Sequence, residues 1–348
     1  MILKLKTSTQ NLFSFTHLIL PVSCLLILSS CGQKADKTSS SPPTSPQKII
    51  LKVAQNSNVN HPYQKGLEKF KEVLEKESGG QIEVQIFPNG QLGNEEQEAV
   101  GVKFGILDAT IVSSGNLAPF VPEIDLFNLP FIFRDLDHFY RVLDGPVGQW
   151  MGRIIEKRLD CIFLGYCSFG IRNTWNSKKP VHTPDDLKGL KIRVMSSPIL
   201  LSAFDTLGAQ ATTMSWNELY SALQQGVLDG AECSMSDLYL EKFYEVTKYV
   251  SLTQHLIGAA VMIFSQKRYE TLPPPWQTAV LKAGHEAVLT ARQAEEEMSN
   301  QAFQELKKRG LQFFEVDTQQ FRAKAVSIYK KYAPKLGGME LINQIIDQ

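Results

Sequence analysis

Between Ile49 and Val112 the hydrophobic pattern switches repeatedly between a strand period and a helix period, and few folds accept that alternation. Ile49-Ile50-Leu51-Lys52-Val53-Ala54 reads as a buried strand. From Tyr63 to Lys76, Leu67, Phe70, Val73 and Leu74 recur on one helical face, and Gly79-Gly80 ends the helix. Ile82, Val84 and Ile86 alternate with polar residues as a second strand does, and Pro88-Asn89-Gly90 marks a turn. Asn94 stands where a helix through Val102 needs a cap, and Leu107 to Val112 reads as a third strand. Strand, helix, strand, helix, strand is the pattern of a parallel sheet covered by helices.

The pattern restarts past the middle. Phe163 to Cys167 and Lys191 to Val194 read as strands, and Ser196 to Leu207 and Trp216 to Gln225 as helices. Ala231 to Cys233 has the short apolar character of a strand end. Two α/β lobes follow from this, with a ligand cleft between them. The first lobe spans 48–165 and is completed by about 254–285. The second spans 166–253 and is completed by about 286–348. Pro273 to Arg309 carries the longest helical signal, with Trp276, Val280, Ala283, Ala287, Ala291, Ala294, Met298, Ala302 and Leu306 at three- and four-residue steps. About 35 helical residues span roughly 50 Å, more than one lobe. Such a helix braces both lobes or packs against a coiled-coil partner.

The first 47 residues stand apart. Lys4 and Lys6 precede a mostly apolar run from Leu12 to Leu28, the layout of an export signal over 1–30. The run ends in Leu28-Ser29-Ser30-Cys31, which resembles the lipobox of bacterial lipoproteins. That resemblance makes Cys31 the acylated first residue of an exported chain, held in a lipid bilayer at the periplasmic face or the cell surface. Residues 31–47, with Thr38-Ser39-Ser40-Ser41-Pro42-Pro43-Thr44-Ser45-Pro46 at their centre, hold no large apolar residue and read as a disordered linker.

Composition narrows the function. Lys plus Arg and Asp plus Glu number 36 each in 348 residues, so the basic excess of a nucleic-acid binder is missing. Catalytic and cofactor signatures are absent: no phosphate-binding glycine loop, no His-Glu-x-x-His, no Cys-x-x-Cys. Gly165 to Gly170 has the wrong glycine spacing to make Ser168 a nucleophile. The six histidines show no metal-ligand spacing, and His255 reads as a structural histidine. Asp185-Asp186 fits a helix start. Cys161 and Cys167 could bond in an oxidising compartment, but strand geometry disfavours it. No cofactor or metal is expected.

Several segments form an ordered set: Phe87-Pro88-Asn89-Gly90-Gln91-Leu92-Gly93, Gly105-Ile106-Leu107-Asp108, Gly170-Ile171-Arg172, Thr183 to Val194, Trp216 to Glu232, and Lys242 to Tyr249. Over residues 49 to 340 the chain resembles the solute-binding proteins of tripartite ATP-independent periplasmic (TRAP) transporters, of the DctP type. The resemblance implies a periplasmic-binding-protein-like fold, with two lobes hinged by crossing strands and a long helix. It implies a small organic acid as ligand, membrane permease subunits as partner, and no catalysis. Arg193 aligns with the arginine that clamps a carboxylate, for which a planar guanidinium suits two parallel hydrogen bonds. Arg172 aligns with a second cleft arginine, and Trp216 with an aromatic that packs on the ligand. Gln55 and Asn94 match polar cleft positions. Cys233 stands where the family often has a ligand-holding asparagine, and Ser113 where some members place an acid. Two other readings stay open from sequence: an exported lipoprotein enzyme, or a ligand sensor using the same cleft.

Overall fold

The computed structural model describes residues 48–348. The export signal, Cys31 and the linker lie outside the described residues. The first five elements are β1 (Ile49–Ala54), α1 (Pro62–Glu77), β2 (Ile82–Phe87), α2 (Glu95–Phe104) and β3 (Ala109–Ser113). Local chemistry sets their ends. Pro62 opens α1 behind a capping His61, and Asn94 caps α2 in a reciprocal box with Gln97. Helices α3 (Ser114–Leu117), α4 (Leu136–Asp144) and α5 (Pro146–Leu159) lead to the long strand β4 (Cys161–Asn176). Then come β5 (Lys191–Val194), α6 (Pro198–Leu207), β6 (Gln210–Thr213), α7 (Trp216–Gln224), β7 (Gly230–Cys233) and α8 (Met235–Leu240). The chain ends with β8 (Tyr249–Ser265), α9 (Gln266–Thr271), α10 (Pro274–Lys308), β9 (Gln312–Phe314), α11 (Thr318–Tyr332) and α12 (Met339–Asp347).

Among the described residues, all nine strands join one mixed sheet in the order β2-β1-β3-β8-β4-β7-β5-β6, with β9 beside β8. On one side β1 pairs β2 and β3 in parallel; on the other β5 pairs β6 and β7 in parallel. The alternating sequence pattern predicts these parallel groups. Between them β4 and β8 run antiparallel to each other, 16 and 17 residues long. The expected strand Phe163–Cys167 is only one stretch of β4. Gly165 and Gly170 interrupt its apolar run at positive φ, where the β4–β8 register shifts. Such bulges re-aim side chains beside a site. Cys161 and Cys167 are buried free thiols six residues apart on that strand. Asp186 closes a capping box with Thr183, as its place at a helix start predicts.

Helix α10 is 35 residues long and contacts both parts of the molecule. Its first half lies against α1, where Gly66 allows close approach. A Cβ there would sit 2.8 Å from the Ala287 carbonyl oxygen. Further along, Glu295 meets α8, and Ala302 and Leu306 join a cluster with Trp175, Leu223 and Phe243. The apolar face of α10 is therefore covered by this chain itself, and the bracing alternative holds over the coiled-coil one. No helix among the described residues is long and apolar enough to cross a membrane.

Because the obstacle to a side chain at residue 66 is backbone, Gly66→Leu is expected to cost about 1–3 kcal/mol. Thermal unfolding checks this. A melting temperature equal to that of the parent would contradict the tight α1–α10 contact.

Candidate functional site

The carboxyl ends of β1, β3 and β5 converge on one cavity. Clefts outside the carboxyl ends of parallel strands are where open α/β sheets bind ligands. Asn56 and Ser57 follow β1, Ser113 ends β3, and Arg193 and Met195 lie at the end of β5. Phe169 and Arg172 come from β4, Trp216 from the start of α7, and Asp237 from α8. His61, Tyr63, Glu95 and Asn116 complete the wall.

Arg193 is 1% exposed. Its Nε donates to the Met214 carbonyl at 2.9 Å, and its guanidinium carbon lies 5.5 Å from the Trp216 ring centre. Its Nη1 is buried and makes no hydrogen bond among the described residues. Burial pulls the Arg193 pKa down to about 10, against the attraction of Glu232. It is charged at neutral pH all the same. A buried cation with an unused donor that faces a cavity is a ready anion partner.

Arg172 differs. Its Nε lies 2.5 Å from Glu232 Oε2, and its Nη2 donates to Glu232 Oε1 at 2.9 Å and to the Glu232 carbonyl at 2.6 Å. Its Nη1 sits 3.7 Å from Asp237 Oδ2. Burial opposes the Arg172 charge, but Glu232 more than compensates and holds it protonated. Burial would likewise push the Glu232 carboxyl up, yet Arg172 and His255 hold it down at about 2. His255 bonds Thr253 and approaches Glu232 at 3.3 Å, a structural place. Asp237 also faces His61 Nε2 at 3.3 Å; burial opposes the His61 charge, but Asp237 raises its pKa overall.

Glu95 stands at the first turn of α2. Three donors reach its carboxylate, and all three go to Oε2: the Ser113 hydroxyl, the Ser113 amide at 3.2 Å and Asn116 Nδ2 at 2.6 Å. Burial pushes the Glu95 carboxyl up despite them. The two sides of the sheet meet around the cavity. Asn116 Oδ1 accepts from the Ser196 amide at 3.1 Å, and Glu241 Oε1 from the Asn58 amide at 3.0 Å.

Of the residues that the sequence singles out, Arg193, Arg172 and Trp216 line the cavity together, and Ser113 with them. Gln55, Asn94 and Cys233 are not among its lining residues. Gln55 is buried and accepts from the Ser57 amide at 2.8 Å, shaping the turn that presents Asn56 and Ser57. The Asn94 side chain is spent on the α2 cap. Cys233 accepts from Trp175 Nε1 at 3.1 Å inside the second buried cluster, and burial pushes its thiol up. Sequence reasoning missed Glu95, Asp237 and His61. The capping box beside Glu95 was a signal for its place, but not for its use.

Comparison with known proteins decides the family. Residues 53–335 match the family model described as bacterial extracellular solute-binding protein, family 7 (DctP). A TRAP periplasmic solute-binding protein of Bordetella bronchiseptica superposes with a TM-score of 0.83 at 36% identity, covering 86% of this chain and 99% of its own. One from Sulfitobacter, with bound β-D-galacturonate, gives 0.83 at 30% identity, covering 86% and 100%. One from Sulfurospirillum deleyianum, with bound succinate, gives 0.81 at 33% identity, covering 86% and 98%. The chain belongs to the DctP family. It is an extracytoplasmic solute-binding protein and a transporter component rather than an enzyme.

The Arg172–Glu232 pair of this DctP protein makes stability depend on acid. Glu232 sits below its ordinary pKa of 4.5, so its contribution is complete above that value and is lost as pH falls toward 2. Glu232→Gln is expected to be about 3–5 kcal/mol less stable at pH 7, because it strands a buried cation. It is also expected to lose less stability between pH 4.5 and pH 2.5 than the parent. Urea unfolding at several pH values checks both, and parallel curves for the two proteins would contradict the assignment.

Proposed function

We propose that the protein captures a small organic acid in this cavity and delivers it to the membrane subunits of a TRAP permease. The observation that carries this reading is the buried Arg193 guanidinium with an unpaired Nη1. The ligand carboxylate supplies the missing acceptor. Arg172, already neutralised by Glu232 and Asp237, lines the cavity and holds its wall in place. Trp216 lies against Arg193 and covers an apolar face of the ligand. Two lobes, 48–165 and 166–253 with their later completions, shut around the bound acid. Water leaves as they close, and the ion pair strengthens as the local dielectric falls. Ligand affinity for the shut form drives the closure. Solved relatives with galacturonate and with succinate support an organic acid as cargo.

The same reading keeps the protein at a membrane. Cys31 carries the lipid, and the linker at 31–47 holds the binding domain off the bilayer. A coil of about 17 residues reaches roughly 23 Å on average. Cys31→Ser is expected to move the protein from the membrane fraction to the soluble one. Retention of that variant in washed membranes would contradict acylation as the anchor.

Arg193→Ala is expected to weaken binding of a hydroxylated monocarboxylate such as D-galacturonate at least tenfold. Its melting temperature without ligand should stay at or above that of the parent, since an unpaired buried cation is removed. Calorimetric titration reads the affinity. An unchanged dissociation constant in a folded variant would end the clamp.

A further inference from the structure

The β4 bulge borders two cavities, and organic-acid capture uses only one of them. Phe169 and Arg172 line the first, whereas Ser168, Gly170, Ile171 and Asn173 line the second. No residue lines both. The second cavity is completed by residues of α4, α8, β8 and the brace helix α10. Its charge is one-sided. Asp137, Glu295 and Glu296 line it, and none of the three enters an ion pair among the described residues. Its lining cation, Arg292, is already spent. Two bonds of 2.7 Å tie it to Asp144, and its Nε donates to the Tyr166 carbonyl at 2.9 Å.

Glu295 is the buried member of the three, 3% exposed, while Asp137 and Glu296 are exposed. The Ser236 and Ser299 hydroxyls both donate to Glu295 Oε1, at 2.6 and 2.7 Å. Its Oε2 has no hydrogen-bond partner among the described residues. Burial pushes this carboxyl up to about 7, and the nearby His61 attracts it without hydrogen-bonding it. It therefore carries its charge at pH 8. A buried carboxylate oxygen without a donor is costly, and an incoming donor relieves that cost.

We propose that this second cavity binds a small aliphatic amine, whose ammonium donates to Glu295 Oε2 while its hydrocarbon part lies against Leu136, Met235 and Leu252. The three apolar side chains belong to the same wall. An ammonium beside Glu295 favours the ionised carboxylate, so binding and ionisation support each other. A charge-assisted bond to a carboxylate is stronger than the bond a neutral hydroxyl makes. A diamine gains further, because its second ammonium meets the exposed carboxylates of Glu296 and Asp137. The proposal goes beyond organic-acid capture and does not depend on it.

Calorimetric titration of the intact protein at pH 8 tests the site with cadaverine and with 1,5-pentanediol, its uncharged match in length. Each is titrated with and without saturating D-galacturonate. Cadaverine is expected to bind with a dissociation constant below about 1 mM, at least tenfold more tightly than the diol, whether or not galacturonate is present. Glu295→Gln keeps an acceptor for the two serines and is expected to weaken cadaverine at least tenfold. Glu296→Lys, at an exposed position, is expected to weaken it about fivefold. Cadaverine binding no tighter than the diol would overturn the amine site. So would an unchanged cadaverine affinity in a folded Glu295→Gln variant or, should that variant not fold, in Glu296→Lys. Displacement of cadaverine by galacturonate would put the amine in the first cavity and overturn the proposal as well. Cadaverine binding as expected, in a protein that binds no organic acid, would uphold this site and overturn the carboxylate reading alone.

Discussion

Arg193 is a cation almost removed from water with a donor left unused, and the rest of the site is arranged around that cost. Desolvating an ion is expensive unless charge and hydrogen bonds are returned to it. The Met214 carbonyl returns one bond, and the Trp216 ring lies within cation–π range. Glu232 adds attraction from beside Arg172, although Arg172 itself partly cancels it. The account closes only when an anion enters the cavity. An empty cavity with such a group at its wall is less stable than a filled one, so ligand binding and closure share a driving force.

The fold holds the charge where it works. Arg193 lies on β5, inside one parallel group, while Glu95, Ser113 and Asn116 come from the other. The antiparallel pair β4–β8 connects the two groups. At its bulge near Gly170 the strand turns Phe169 and Arg172 toward the cavity. A Cβ at Gly170 would come within 2.6 Å of Ser234 Cβ and 2.5 Å of Glu295 Oε1, so the bulge packs tightly on α8 and α10. The brace helix is therefore in contact with the segment that positions Arg172.

Much of this was legible in the sequence where periodicity is local. Helices α1, α6, α7 and α10 begin and end close to their apolar patterns and caps, and β5 matches Lys191–Val194. The lengths of β4 and β8 were not legible. Glycines at positive φ break one apolar run, and His255 and Gln254 interrupt the other with polar side chains. Arg193 on its own looks like any strand arginine, and only the ordered motifs marked it. Glu95 and Asp237 are 142 positions apart and meet only through topology. Asn94 and Gln55 drew notice as polar residues beside the cavity, but local backbone bonds consume them while their neighbours Glu95 and Asn56 face inward.

A crystal structure of the protein with a bound hydroxy acid tests the central claim most directly. The account predicts both carboxylate oxygens within about 3 Å of guanidinium nitrogens, with Arg193 Nη1 among the donors. A ligand whose carboxylate faces elsewhere in the cavity, with Arg193 Nη1 still unpaired, would contradict it.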